Sequence, residues 1–437
     1  MLHKITYPWL EDKCICILLI LSMFSVFKIK FAGFPLYSLL LLTITSVWLF
    51  LKILYTGRDG EIFPAIRHLT DTVAIVAILY AIFSVIVKLS STSEEGWIDF
   101  SWNAEMIALA VICLLVSSGV QFKTFYLDLL LYCGLLVAGV YLLCSLADGI
   151  RNNVMEAFLA DHVQVSSYFL LISMISIYEY CACRDRMRSI FYMMVSAISF
   201  FVLFLNQNAI SLWLMGIYFL MIPVALRPTA VLVKRSMQLF FIYLCMLSNI
   251  SLLTEYTQVI RTEISYSLKH SVYLDLLIAA GGVVFFHYWD RIPEGVDLNR
   301  LVLRKMQKGY RFIAAMVLVI FAAIVIDGGW EALPEGMSYD MVRFLTVPLV
   351  EVVGQNESGI LQCFRMIGVL PGMFLLVSMV LFMGRLRRNY VVDKPITGGL
   401  VLISAVFMIQ HLFWNPGIHN IVCYFYLLVS ACFQQKE

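Results

Sequence analysis

Residues 34–55 read FPLYSLLLLTITSVWLFLKILY, and this stretch decides the class of fold. It carries one charged side chain, Lys52, and it is long enough to cross a hydrocarbon core of about 30 Å as an α-helix. Similar apolar runs recur along the whole chain, which is 61% hydrophobic and 14% charged. A soluble domain carries roughly 25% charged residues. The composition therefore predicts an all-α polytopic membrane protein.

About fourteen (12–14) spans are predicted in a single transmembrane domain that covers residues 1–437. The approximate cores of these spans are 14–28, 34–55, 69–89, 104–121, 125–146, 163–179, 189–205, 209–225, 237–253, 272–289, 311–327, 361–383, 396–412 and 416–433. The first pair and the last pair of predicted spans are short or closely spaced, so the number of spans is given as a range. No cleavable signal peptide is predicted before the first span, because no small-residue cleavage pattern follows its apolar core.

Lysine and arginine are concentrated in alternate loops, and the positive-inside rule predicts that these loops face the cytoplasm together with both termini. The six basic loops contain Lys52, Arg58 and Arg67; Lys123; Arg184, Arg186 and Arg188; Arg227, Lys234 and Arg235; Arg291 to Arg311; and Arg385 to Lys394. The remaining loops are acidic or mixed and are predicted to face outward, although Lys28 and Lys30 also lie on that side.

One large outer loop is predicted between about residues 327 and 360. It begins as irregular chain with glycine and proline, and residues 338–353 then show the helical spacing of a short amphipathic surface helix. Arg365 follows about two turns inside the next span. An ionisable residue at that depth is costly unless it is paired or hydrated, so Arg365 is a functional candidate. The alternative is an arginine that reaches back to the outer interface along its aliphatic stem.

The segment that returns the loop to the membrane resembles a known family. It reads Glu357-Ser358-Gly359-Ile360-Leu361-Gln362, and Gly368-Val369-Leu370-Pro371-Gly372 follows it. This pattern resembles the bacterial O-antigen and capsular polysaccharide polymerase/ligase superfamily. Ligases of that superfamily have a His-Asn pair before Leu-Gln, whereas many polymerases have Glu-Ser-Gly-Tyr-Leu. The chain is similar to the polymerase version, with Ile360 in place of the aromatic residue.

A second resemblance lies between the seventh and eighth predicted spans. The superfamily often has a Ser-Arg motif there, and this chain has Asn206-Gln207-Asn208 with Ser211 shortly after it. The family arginine is absent from this turn. Family members also often have an arginine early in the large loop, for which Arg343 is the nearest match. Together the two regions extend the resemblance over roughly residues 160–385, mainly through topology.

The resemblance implies a GT-C-like glycosyltransferase bundle in the bacterial cytoplasmic (inner) membrane, with its active site facing outward beneath the large loop. It implies transfer of a glycan from polyprenyl diphosphate to a sugar hydroxyl of an acceptor, with no metal and no cofactor. The implied partners are the polyprenyl-diphosphate-linked oligosaccharide, the lipid bilayer, a chain-length regulator and a flippase. No nucleic-acid partner is expected.

Site residues follow from this chemistry. Arginine binds phosphate oxygens in pairs and stays charged, so Arg365 and Arg343 are assigned to the diphosphate leaving group. Glu357 is the candidate base for the acceptor hydroxyl. Further substrate-binding candidates are Arg261, Arg151, Gln355, Asn356, Asn206, Gln207 and Asn208. For the last three, the alternative is an ordinary polar hairpin between two spans.

Other functions remain open from the sequence. A flippase or transporter of lipid-linked oligosaccharide predicts charged groups at the middle of several spans and two matching halves. An O-antigen ligase predicts the His-Asn pair in place of Glu357 and Ser358. An inactive structural member of a glycan-assembly complex is compatible with the absent arginine. The few charges in the middle of the spans favour the polymerase.

Overall fold

A computed structural model of the chain describes residues 7–31, 34–56, 108, 111, 112, 115, 123–148, 158–160, 162–206, 208–225, 230–249, 271–291, 399, 402, 403 and 406. This part of the chain is mostly helical. Its long helices are α1 (Tyr7–Leu21), α2 (Leu36–Thr56), α3 (Phe125–Asp148), α4 (His162–Ala182), α5 (Arg186–Asn206), α6 (Ala209–Ala225), α7 (Ala230–Ser248) and α8 (Ser271–Trp289).

Five of the described helices are long and apolar enough to cross a membrane, namely α2, α3, α4, α5 and α7. The prediction of an all-α membrane protein is therefore confirmed at this coarse level. The predicted spans 69–89, 311–327, 361–383 and 416–433 lie outside the described residues, and 104–121 and 396–412 are described at only four positions each. The count of fourteen spans and the GT-C-like arrangement stay predictions.

The first helix differs from the predicted span 14–28. Helix α1 ends at Leu21, a 3₁₀ helix covers Ser22–Val26, and Phe27 is extended. The hydroxyl of Ser22 donates to the carbonyl of Leu19, and that of Ser25 donates to the carbonyl of Ser22, both at 2.6 Å. Such bonds from serine to the preceding turn compete with the regular helix and tighten its end. Two short antiparallel strands, β1 (Lys30–Phe31) and β2 (Phe34–Pro35), then lead into α2.

Helix α7 also begins earlier than predicted, at Ala230 instead of residue 237. The sequence predicts a loop for Lys234 and Arg235, because the two charges interrupt the apolar run. In the structure they lie on the helix, where Lys234 Nζ is 2.5 Å from Asp290 Oδ1 and Arg235 donates to the carbonyls of Tyr180 and Cys183. These partners satisfy the two charges, so the helix continues through them.

Helix α4 lies at the centre of the described bundle. In the span Gln164–Ala182, 89% of the residues are buried, against 33% in the span of α2 and 50% in that of α5. A helix that is buried on all sides needs no polar face. Its buried polar residues are the small side chains Ser166, Ser167, Ser173 and Ser176. Small residues allow close helix approach in membranes, and Ser196 of α5 donates to Ser176 Oγ at 2.8 Å.

The helix ends meet in two groups. At one end, which we call the basic end, Lys123 before α3 pairs with Asp12 of α1 at 2.8 Å, and Trp289 of α8 donates to the carbonyl of Ala230 at 2.9 Å. At the other end, which we call the opposite end, residues 26–28 pair with residues 158–160 through backbone hydrogen bonds. This grouping agrees with the alternation of basic and acidic loops. Which side of the membrane each end faces stays a prediction.

Candidate functional site

The turn between α5 and α6 contains the two predicted site residues that the structure describes. Asn208 precedes α6 directly, and its side-chain Oδ1 accepts a hydrogen bond from the backbone N–H of Ser211 at 3.0 Å. Its carbonyl accepts from the N–H of Leu212 at 3.1 Å. Asparagine is favoured at this position because its side chain satisfies a backbone donor that the helix leaves open. Asn208 is buried and starts helix α6.

Asn206 ends α5 and connects three helices at the opposite end. Its Nδ2 donates to Ser166 Oγ of α4 at 2.6 Å, and its Oδ1 accepts from the hydroxyl of Tyr141 of α3 at 3.5 Å. Tyr141 and Ser166 are both buried. Buried polar groups need such partners, and the network fixes the position of the turn relative to α3 and α4.

A further polar contact lies at the same end of the bundle. Asn249, just after α7, donates from Nδ2 to Asp275 Oδ1 near the start of α8 at 3.2 Å. The same Nδ2 donates to the carbonyl of Cys245 at 2.7 Å. The opposite end therefore contains amide, hydroxyl and carboxylate groups that hydrogen-bond to one another and connect α3 to α4 and α5, and the end of α7 to α8.

The remaining predicted site residues lie outside the described residues. They are Glu357, Arg365, Arg343, Arg261, Arg151, Gln355, Asn356 and Gln207. Their assignment stays a prediction. Asn206 and Asn208 form hydrogen bonds within the bundle, and these bonds are compatible with the hairpin alternative. A role of their remaining polar surface in sugar binding stays a prediction as well.

A cluster that the sequence did not assign lies at the basic end. The hydroxyl of Tyr192 on α5 donates to Asp128 Oδ1 in the first turn of α3 at 2.7 Å. Glu179 in the last turn of α4 interacts electrostatically with both Asp128 and Arg188. The signal for this cluster was two carboxylates placed just inside predicted spans, where ionisable groups require partners. It joins the ends of α3, α4 and α5.

Helix α7 is attached to α4 at the basic end by a second cluster. Arg235 lies over the ring of Tyr180, with its guanidinium carbon 5.6 Å from the ring centroid. The hydroxyl of Tyr180 donates to Gln238 Oε1 at 2.9 Å. Arg235 also donates to carbonyls at the end of α4, which neutralises the partial negative charge of that helix terminus. These contacts have an evident structural role.

Among the described residues there is no group of three or more His, Cys, Asp and Glu side chains that could hold a metal ion. The comparisons with known proteins give no family: no protein-family model, no curated protein and no solved structure matches the chain. The resemblance carried by Glu357 to Gln362 and by Asn206 to Asn208 is therefore the basis for a functional assignment.

Proposed function

We propose that this protein is a membrane glycosyltransferase that polymerises lipid-linked oligosaccharide repeat units on the outer face of the cytoplasmic membrane. The product would be an O-antigen, a capsule or an exopolysaccharide. The observation that carries the proposal is the sequence Glu357 to Gln362, at the point where the large outer loop is predicted to re-enter the membrane. The membrane-length helices support it, because an enzyme in the bilayer can reach a donor that is anchored there by its polyprenyl chain.

The reaction transfers a glycan between two carriers. Glu357 takes the proton of an acceptor hydroxyl, and the oxygen attacks the anomeric carbon of the donor sugar. A new glycosidic bond forms, the bond from that carbon to the diphosphate oxygen breaks, and the polyprenyl diphosphate leaves with the electron pair. Arg365 and Arg343 stabilise the negative charge that develops on the leaving group. The step needs no oxidant, reductant or metal.

The opposite end of the bundle supports this placement. It is the end that the positive-inside rule predicts to face outward, and it contains the turn at Asn206 and Asn208. Hydrogen bonds of Asn206 connect the end of α5 to α3 and α4. Polar groups that are already held in position suit the binding of an acceptor glycan, because the ordering cost on binding is smaller.

The test is the length of the surface glycan on a gel, in a deletion strain complemented with the wild type or with Arg365→Ala, Arg343→Ala or Glu357→Gln. Glu94→Gln is the matched control, because Glu94 lies in another predicted outer loop and has no assigned role. We expect single repeat units from the deletion strain and from the three site variants, and long chains from the wild type and the control. An immunoblot checks that every variant is expressed.

The same strains separate the polymerase from a flippase. If the deletion strain lost even single repeat units from the surface and accumulated lipid-linked units on the inner leaflet, the protein would be a flippase and the site assignment would be wrong. In the described bundle, Asp128 and Glu179 lie in the first turn of α3 and the last turn of α4, and a transporter predicts such groups at the membrane midplane. The location of these two carboxylates near helix ends therefore favours the polymerase over the transporter.

A further inference from the structure

The turn between α4 and α5 carries exposed arginines that have no acidic partner in the part of the chain that the structure describes. Arg184 and Arg186 are exposed, and neither forms an ion pair among the described residues. Asp185 lies between them, but its Oδ1 accepts from the N–H of Met187 at 3.1 Å and its carbonyl accepts from the N–H of Ser189 at 2.9 Å. The carboxylate thus caps α5, and two guanidinium groups beside it remain available to an anion.

An apolar surface begins directly beside these arginines. Met187, Ile190 and Met194 recur at helical spacing on α5 and are 76%, 43% and 56% exposed, and we call them the α5 stripe. The neighbouring helix α3 continues this surface with exposed Tyr132, whose ring centroid is 5.1 Å from that of Phe191. Methionine side chains are flexible and adapt to irregular apolar partners. The surface therefore suits a hydrocarbon chain.

We propose that the α4–α5 turn and the α5 stripe bind one anionic phospholipid of the surrounding bilayer. Arg184 and Arg186 hold the headgroup phosphate, and an acyl chain lies along the α5 stripe. Charge and polarity are both complementary to such a lipid. The two guanidinium groups, which form no ion pair among the described residues, match a phosphate at headgroup level, and the α5 stripe runs from that level toward the bilayer interior.

Arg188 has a different role in this surface. It interacts electrostatically with Glu179 at the end of α4, so it has an acidic neighbour within the bundle. We therefore assign the headgroup to Arg184 and Arg186. This distinction predicts that a lipid contact depends on Arg184 and Arg186 more than on Arg188.

The test is native mass spectrometry of the full-length protein in detergent, titrated with phosphatidylglycerol or phosphatidylcholine. The variant is Arg184→Gln with Arg186→Gln, and the matched control is Lys28→Gln with Lys30→Gln, which removes the same charge at the opposite end. We expect the variant to bind phosphatidylglycerol about tenfold more weakly than the wild type, since each basic side chain strengthens attraction to anionic lipid. The control should bind as the wild type does.

Three further observations complete the test. Arg184→Lys with Arg186→Lys should retain most of the binding, phosphatidylcholine should bind weakly to all variants, and gel filtration should show every variant to be folded. Unchanged phosphatidylglycerol binding in a folded glutamine variant would overturn the proposal. An equal loss in the control variant would also overturn it, because the effect would then be one of net charge. Equal binding of both lipids by the wild type would show that no headgroup is recognised.

Discussion

The side-chain oxygen of Asn208 is held by the first turn of α6, where it accepts from the N–H of Ser211. The amide nitrogen of this residue takes no part in that cap, and it is the group that the proposed function would assign to a sugar. The structural and the functional role of Asn208 can therefore be separated by substitution, because serine offers an oxygen acceptor for the cap and has no amide group.

Replacement of Asn208 by alanine should lower the stability of the protein by about 1 kcal/mol, because the N–H of Ser211 loses its acceptor. Asn208→Ser should keep most of that stability. Thermal unfolding in one detergent measures both variants. If Asn208→Ser is as stable as the wild type and yet gives short glycan chains in the complemented strain, the amide contacts the substrate. Equal stability of the alanine variant and the wild type would contradict the capping role.

At the scale of single elements, α3 approaches α4 closely at one glycine. A Cβ added to Gly134 would lie 2.8 Å from Cγ2 and 3.0 Å from Cδ1 of Ile172, which is fully buried on α4. Gly139 lies on the same helix, and a Cβ added there meets nothing within 4 Å. The two glycines therefore lie on the same helix, but only Gly134 lies close to a side chain of α4.

Gly134→Ala should destabilise the protein by about 1–3 kcal/mol, because Ile172 has to move within a packed core. Gly139→Ala should be neutral or should stabilise α3 by up to about 1 kcal/mol, since alanine favours the helix. Unfolding temperatures of the two variants in the same detergent test this pair. A similar loss in both would mean that flexibility of α3, and not contact with α4, governs the effect.

The predicted element bounds were accurate where the apolar run and the polar boundary coincide. The span 209–225 corresponds to α6, whose start is defined by Asn208, and the span 272–289 begins one residue after α8 does. The predicted start of the span at residue 237 was wrong, because a long-range contact, and not the apolar run, determines where α7 begins. Arg235 remains helical because carbonyls of α4 accept from it, and such a partner is invisible in a hydropathy pattern.

At the scale of the whole molecule, the grouping of the helix ends is compatible with the alternation of basic and acidic loops, and the side of the membrane that each end faces stays a prediction. The site could be predicted only in part, because its arginines and Glu357 were assigned from a family resemblance and lie outside the described residues. The cluster of Tyr192 with Asp128 was missed for a physical reason. Its parts come from α3 and α5, and a contact between residues far apart in sequence leaves no local pattern.

One contact connects the start of the chain to the bundle, and its contribution to the stability of the folded state should depend on pH. Asp12 is partly buried, which opposes its ionisation, but hydrogen bonds from Lys123 and Tyr126 and the nearby positive charges lower its pKa below the ordinary value of 3.8. A lowered pKa stabilises the folded state at pH values above 3.8, and this contribution is lost as the pH falls through the folded-state value.

Asp12→Asn should therefore lower the unfolding temperature at pH 7 by an amount equivalent to about 1 kcal/mol or less, as expected of a partly exposed pair. The difference between the variant and the wild type should shrink as the pH falls below 3.8 and through the lower folded-state pKa of Asp12. Unfolding scans across pH measure it. Lys30→Gln is a suitable control because Lys30 is exposed and lies at the opposite end of the bundle, away from Asp12. A constant difference at every pH would show that the carboxylate charge is not responsible.

The central position of α4 also bears on how the protein is made. Of the five membrane-length helices it has the lowest mean hydropathy, and its four buried serines are spread from Ser166 to Ser176. A nascent helix of this kind partitions into lipid less readily than its neighbours while it emerges alone from the ribosome. Helix α5 follows after a short turn and offers Ser196 to Ser176. Synthesis would then favour co-insertion of α4 and α5 as one hairpin, and a chain that stops between them would leave α4 poorly anchored.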